Sequence, residues 1–192
     1  MKISKQVIIS FILLVFIGSV YRIMPNRPWG FAPQIAMAIF AGAVIKDKKL
    51  AFLLPLLSMF VSDALYEILY RNGVGNIRGF YQAQVTNYIL VGLMTVFGFF
   101  IRNFNILQIG LASLAAPVTF FILSNFFVWA SSSPDAGWAR PKTFNGLMQC
   151  YNDGLPFFRG SLEATFIFSA LLFGGYYLIR NYVTSPVPEK IV

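Results

Sequence analysis

The sequence contains no histidine and a single cysteine, Cys150. These absences exclude a histidine-based catalytic triad, a Cys/His zinc site and an internal disulfide. Charge is also scarce. Asp, Glu, Lys and Arg make up 11 % of the chain, less than half the roughly 25 % usual in soluble domains. Acids are the rarer kind, 7 against 15 basic residues, giving a formal net charge of +8. No stretch interleaves basic and aromatic residues in the manner of a soluble nucleic-acid module. The positive balance is therefore assigned to lipid headgroups and membrane orientation, and no nucleic-acid partner is expected. No glycine cluster has the spacing of a dinucleotide or phosphate loop, and no cofactor is implied.

What fills the chain is apolar. Hydrophobic residues make up 57 % of its 192 positions, with 21 Phe, and mean hydropathy is +0.68. A soluble domain of this size could not hide so much apolar surface. The expected class is all-α: one polytopic membrane bundle over residues 1–192, with about six spans of roughly 20 residues each and a flexible tail from about 183 to 192. Lys2 and Lys5 ahead of a long apolar run suggest a signal peptide, but Ser19-Val20-Tyr21 offers no small-residue cleavage site, so an uncleaved first span is preferred. The spans are placed at Val7–Val20, Phe31–Ile45, Leu50–Tyr70, Val85–Ile101, Ile106–Trp129 and Ser161–Ile179. The second is poor in bulk: Ala32, Ala36, Ala38, Ala41, Gly42 and Ala43 fit either close internal packing or a docking face for another membrane protein.

Orientation follows from the basic residues. Short connections carrying Lys46, Lys48, Lys49 and Arg102 share a side with both termini, which places the termini in the cytoplasm of a bacterial inner membrane. Three polar connections then face outward: Met24–Gly30, Arg71–Gln84 and Ser131–Gly160. The last is the long outer loop between the fifth and sixth spans. Within it, Thr143–Tyr151 reads as a short interfacial helix followed by a turn at Asn152-Asp153-Gly154, the whole lying as a lid over one mouth of the bundle.

The third span is the organising one. Asp63 and Glu67 stand four residues apart on one helical face, with Arg71 a turn beyond. Carboxylates inside a span are costly, so they must reach an interface, pair with cations or stay protonated. They either anchor the wet end of the helix with arginines or line a solute site. Around that end the outer connections gather Arg22, Arg27, Arg78, Arg140 and Arg159, suited to gripping carboxylate or phosphate. Tyr81, Trp129, Trp138 and Tyr151 could stack on a planar ring. Asn87, Asn125 and Glu163 lie near the same helix ends, and Asn125 could serve as interhelical glue or as a ligand contact. Cys150 reads as inert.

Four stretches carry a resemblance: RIMPNRPWGFAP from Arg22, AIFAGAVIKDKKLAFLLPLLSMFVSD from Ala38, SNFFVWA from Ser124 and GLMQCYNDGLPFF from Gly146. On these the chain resembles an uncharacterised family of small bacterial integral membrane proteins. Its size, six-span layout and long outer loops look like the substrate-binding S components of energy-coupling-factor vitamin transporters. That likeness implies capture of a small organic solute, such as a vitamin or precursor, and association with a coupling membrane subunit and ATPases. The small-residue coupling face that S components carry on their first helix would fall here on the second. The lack of histidine argues against a nickel or cobalt importer of that group. The alternatives are a structural or assembly protein that binds protein partners and an intramembrane enzyme, for which no catalytic constellation is present.

Overall fold

The computed structural model describes residues 5–133 and 139–180. Trp138 and the tail 183–192 fall outside them. Among the described residues six helices follow in order: α1 (Lys5–Ile23), α2 (Gln34–Val44), α3 (Lys48–Arg71), α4 (Gln84–Gly98), α5 (Ile106–Ser131) and α6 (Phe144–Leu178). Three of them, α3, α5 and α6, are long and apolar enough to cross a membrane; Ser10–Ile23 of α1 and the whole of α2 and α4 are shorter. The bundle is thus all-α with six helices, as expected, but it does not hold six full spans.

The shortfall is clearest at α2. Its 11 residues reach about 16 Å at 1.5 Å per residue, roughly half a hydrocarbon core. Pro33 stands just before the helix, where its missing N–H breaks no intrahelical bond. At the other end Ile45 is already extended. Asp47 then caps α3, its side chain accepting from the backbone N–H of Lys49 and Leu50 at 2.9 and 3.3 Å. The basic turn therefore reduces to 45–47, and Lys48 and Lys49 open the next helix. Replacing Asp47 by alanine is expected to lower stability by about 1 kcal/mol, the usual worth of such a cap, as a drop in the midpoint of detergent-solubilised thermal unfolding.

Every residue of α2 from Gln34 to Gly42 is buried. The helix packs against α3, α4, α5 and α6, while α1 leans mainly on α3 and α5 on α6. Small residues make this enclosure possible. A Cβ on Gly42 would lie 2.2 Å from the carbonyl oxygen of Thr95, and one on Gly98 would lie 2.1 Å from that of Ile39. The alanine and glycine surface of α2 is consumed inside the bundle, which removes it as a docking face for another protein.

The second departure is α6. It runs unbroken through 35 residues, so the short interfacial helix, the turn at Asn152-Asp153-Gly154 and the separate span from Ser161 are one element. Thr143 sets its start by accepting from the N–H of Gly146 at 3.1 Å. Packing along α5 overrides the local turn signals: Cys150 Sγ lies 3.5 Å from the Asn125 carbonyl, and the Phe121 and Phe158 rings approach to 4.7 Å. Pro156 sits inside the helix, where it forgoes one backbone bond without ending the element. The α5–α6 connection shrinks to 132–143, and most of the expected lid is helix.

Candidate functional site

The end of the bundle where α1, α3 and α5 finish and α2, α4 and α6 begin is held by one buried ion pair. Arg22, in the last turn of α1, donates through Nη1 to Ser62 Oγ at 2.7 Å and to Asp63 Oδ1. Asp63 is 1 % exposed, and its second oxygen accepts from Gln84 Nε2 and Tyr88 Oη, both at 2.7 Å. The buried carboxylate already accepts from three protein groups, and it pairs with Arg22 rather than joining a ladder with Glu67 and Arg71. Those two pair separately, Arg71 Nε to Glu67 Oε1 at 2.7 Å. The other Glu67 oxygen accepts from the N–H of Gly79 at 3.2 Å. Gly79 can approach because it has no side chain: a Cβ would fall 1.8 Å from the Asp63 carbonyl. Both acids therefore tie elements together instead of facing open space.

Arg27 does related work in the connection 24–33. Its guanidinium donates to the carbonyls of Arg22 and Phe31 at 2.8 and 3.0 Å and to Tyr66 Oη at 3.3 Å. Tyr66 in turn donates to the Arg22 carbonyl at 2.5 Å. Folded by these bonds, the connection presses onto α6: Trp29 stacks on Phe157 with centroids 5.3 Å apart. Gly30, at φ 73°, comes so close that a Cβ would lie 2.0 Å from the Phe157 carbonyl. Gly160 meets the Trp29 carbonyl in the same way, at 1.9 Å.

Between these elements lies a cavity of about 300 Å³. Its walls are Ile35 of α2, Met59 of α3, Val91 of α4, Pro117, Phe120 and Phe121 of α5, and Phe157 and Phe158 of α6; its polar groups come from Arg22, Gln34, Asn87, Ser124, Asn125 and Ser161. A second hollow, about 480 Å³, opens at the opposite end between α5, α6 and the 99–105 connection. It is bounded by fewer elements, and its strongly polar lining groups are Asn103 and Arg180. The first is the better candidate because it joins aromatic walls to convergent polar groups.

Of the residues singled out from sequence, Arg22, Asn87 and Asn125 border this cavity. The other described ones do not. Tyr81 holds Asn87, which donates to its hydroxyl at 2.6 Å. Arg78 bonds the Tyr70 hydroxyl at 3.2 Å, a contact that holds its guanidinium further above its ordinary value and keeps it charged. Trp129 donates to the Pro141 carbonyl at 2.8 Å, and Tyr151 to that of Ile122 at 3.1 Å. Arg140 pairs with Asp153 at 2.6 Å and Arg159 with Glu163 at 2.9 Å, on exposed surface. Such surface pairs contribute little, so Arg159→Ala is expected to leave the unfolding midpoint unchanged.

Sequence reasoning missed Gln34, Phe121, Phe158 and Ser161, and it missed the Gln84 and Tyr88 partners of Asp63. The signal for Gln34 was present: a lone amide directly after Pro33 in an otherwise apolar run is expensive unless it has a task.

Six helices, several of them apolar and membrane-length, wrapped around an aromatic-walled cavity, are consistent with a small helical membrane protein. The chain belongs to a family of unknown function, DUF6580, whose model matches residues 2–187. No curated protein and no solved structure matches it.

Proposed function

We propose that this protein is an integral membrane subunit that captures a small organic solute in the cavity bounded by all six helices. The observation that carries this reading is the cavity itself. It lies at the end bearing the connections 24–33, 72–83 and 132–143, and it pairs aromatic walls with a pre-set guanidinium. Its volume falls at the lower end of the range for small-molecule sites. Large apolar side chains on the outside, among them Phe16, Leu111, Phe166 and Leu171, all more than 40 % exposed, fit contact with lipid better than with water. With both termini cytoplasmic the cavity faces outward, as in S components. Movement of the solute inward would then draw on a coupling membrane subunit and ATPases, because this sequence has no Walker A motif of its own.

The test is a thermal-shift screen of the purified chain in detergent against vitamins, nucleobases and small carboxylates, with Phe121→Trp in parallel. The larger ring fills the cavity from a wall position. Stabilisation of the natural protein by at least one compound, abolished in Phe121→Trp while its own unfolding midpoint is retained, is the expected result. A panel without effect on the natural protein would sink the reading.

A further inference from the structure

Three amide side chains border the cavity, and all three are held the same way round. Gln34 Nε2 is directed to the Gly18 carbonyl at 3.5 Å, Asn87 Nδ2 to Tyr81 Oη at 2.6 Å and Asn125 Nδ2 to the Phe121 carbonyl at 2.8 Å. Each nitrogen gives one N–H to protein, at the limit of hydrogen-bond length for Gln34, and each oxygen is left without a donor among the described residues. For Gln34 this is severe: the residue is 5 % exposed, and its buried Oε1 has no partner among those residues. Buried acceptors of this kind are rare in native structures and call for a donor. Arg22 shows the reverse pattern. Its Nη1 serves Ser62 and Asp63, while Nε and Nη2 have no acceptor among the described residues. Its charge is already balanced by Asp63.

A ligand complementary to this set must supply at least one hydrogen-bond donor, to Gln34 Oε1 first, and one acceptor to Arg22. It must also be flat enough to lie beside Phe121 and Phe158. Resting on the capture reading above, we infer that the cavity selects a neutral planar heterocycle with a lactam or imide edge, ring N–H next to C=O, and disfavours a simple aromatic carboxylate. A carboxylate has no donor to give. It would leave Gln34 Oε1 unpaired beside a guanidinium that is already neutralised, and sites built to bond a donor reject analogues lacking it strongly.

The experiment compares matched probes on the full-length purified chain by calorimetric titration: lumazine and xanthine, their ring-N-methylated counterparts, and 2-naphthoate. The N–H forms are expected to bind at least tenfold more tightly than the N-methyl forms and the carboxylate. In Gln34→Met that ratio is expected to fall toward one, and in Asn87→Leu to fall at least threefold. The ratio, rather than the affinity, is the readout, since a packing defect would weaken both members of a pair alike. Equal or tighter binding of the N-methyl compounds or of 2-naphthoate would overturn the assignment of ligand class while leaving solute capture standing. A ratio unmoved in both variants would do the same. No binding by any probe overturns the class, and only a silent metabolite panel as well would remove the capture reading beneath it.

Discussion

Asp63→Leu is expected to be the most damaging single substitution in the chain, lowering unfolding stability in detergent by about 3–5 kcal/mol, the range for removing one partner of a buried pair. The loss comes less from the missing attraction than from what stays behind. Arg22 would keep a largely buried guanidinium with no counter-charge, and Gln84 and Tyr88 would lose the oxygen they both bond. A second variant separates these causes. Arg22→Met combined with Asp63→Leu removes both charges and is expected to recover at least half of the single-variant loss, since apolar replacement of a whole buried pair is often close to neutral. If the double variant is as unstable as the single one, the pair contributes through geometry, and charge balance is not its role.

Gly98→Val is expected to come next, costing about 3 kcal/mol, at the upper end of typical overpacking. The α2–α4 contact leaves no room: a Cβ at Gly98 meets not only the Ile39 carbonyl but also the Ala43 nitrogen, at 2.8 Å. Both are backbone atoms of the enclosed helix, so relief requires α2 and α4 to part. Gly110 provides the control with the opposite sign. A Cβ there meets nothing within 4 Å, so Gly110→Ala should gain about 0.5–1 kcal/mol from the reduced backbone entropy of the unfolded chain. Equal effects at the two glycines would contradict the close approach.

Much of this architecture was legible in the sequence. Apolar runs separated by the polar connections near 24–30, 46–49, 71–84, 102–103 and 131–160 divided the chain into its helices. The six-helix count followed. Their lengths did not, because Pro33 and the 45–47 turn trim α2 from both ends. The continuity of α6 was hidden for a different reason. Asn152-Asp153-Gly154 and Pro156 are strong local signals for a break, and the packing of Cys150, Gly154 and Phe158 on α5 outweighs them. The same limit applies to the site. Asp63 stood out because a carboxylate in an apolar span demands an explanation. Its partner, Arg22, lies 41 positions away, and no spacing rule connects them. Of the residues picked there, Arg22 borders the cavity, while the other described arginines and aromatic residues bond to the connections, to a neighbouring helix or along their own, and the cavity drew its aromatic walls from phenylalanines not singled out as site residues.

The enclosure of α2 also bears on how the chain is made. Eleven residues are too few to be held in a bilayer on their own, and this helix shows lipid almost no face of its own. It can settle only once its neighbours are in place, and all four of them, α3, α4, α5 and α6, are synthesised after it. The ribosome must therefore release most of the protein before its centre can close, which leaves a half-made chain with a small, sticky helix and no seat for it. Chains truncated before α6 are accordingly expected to be more sensitive to added protease than the whole chain, because α6 supplies one of the surfaces that enclose α2 as well as a wall of the cavity.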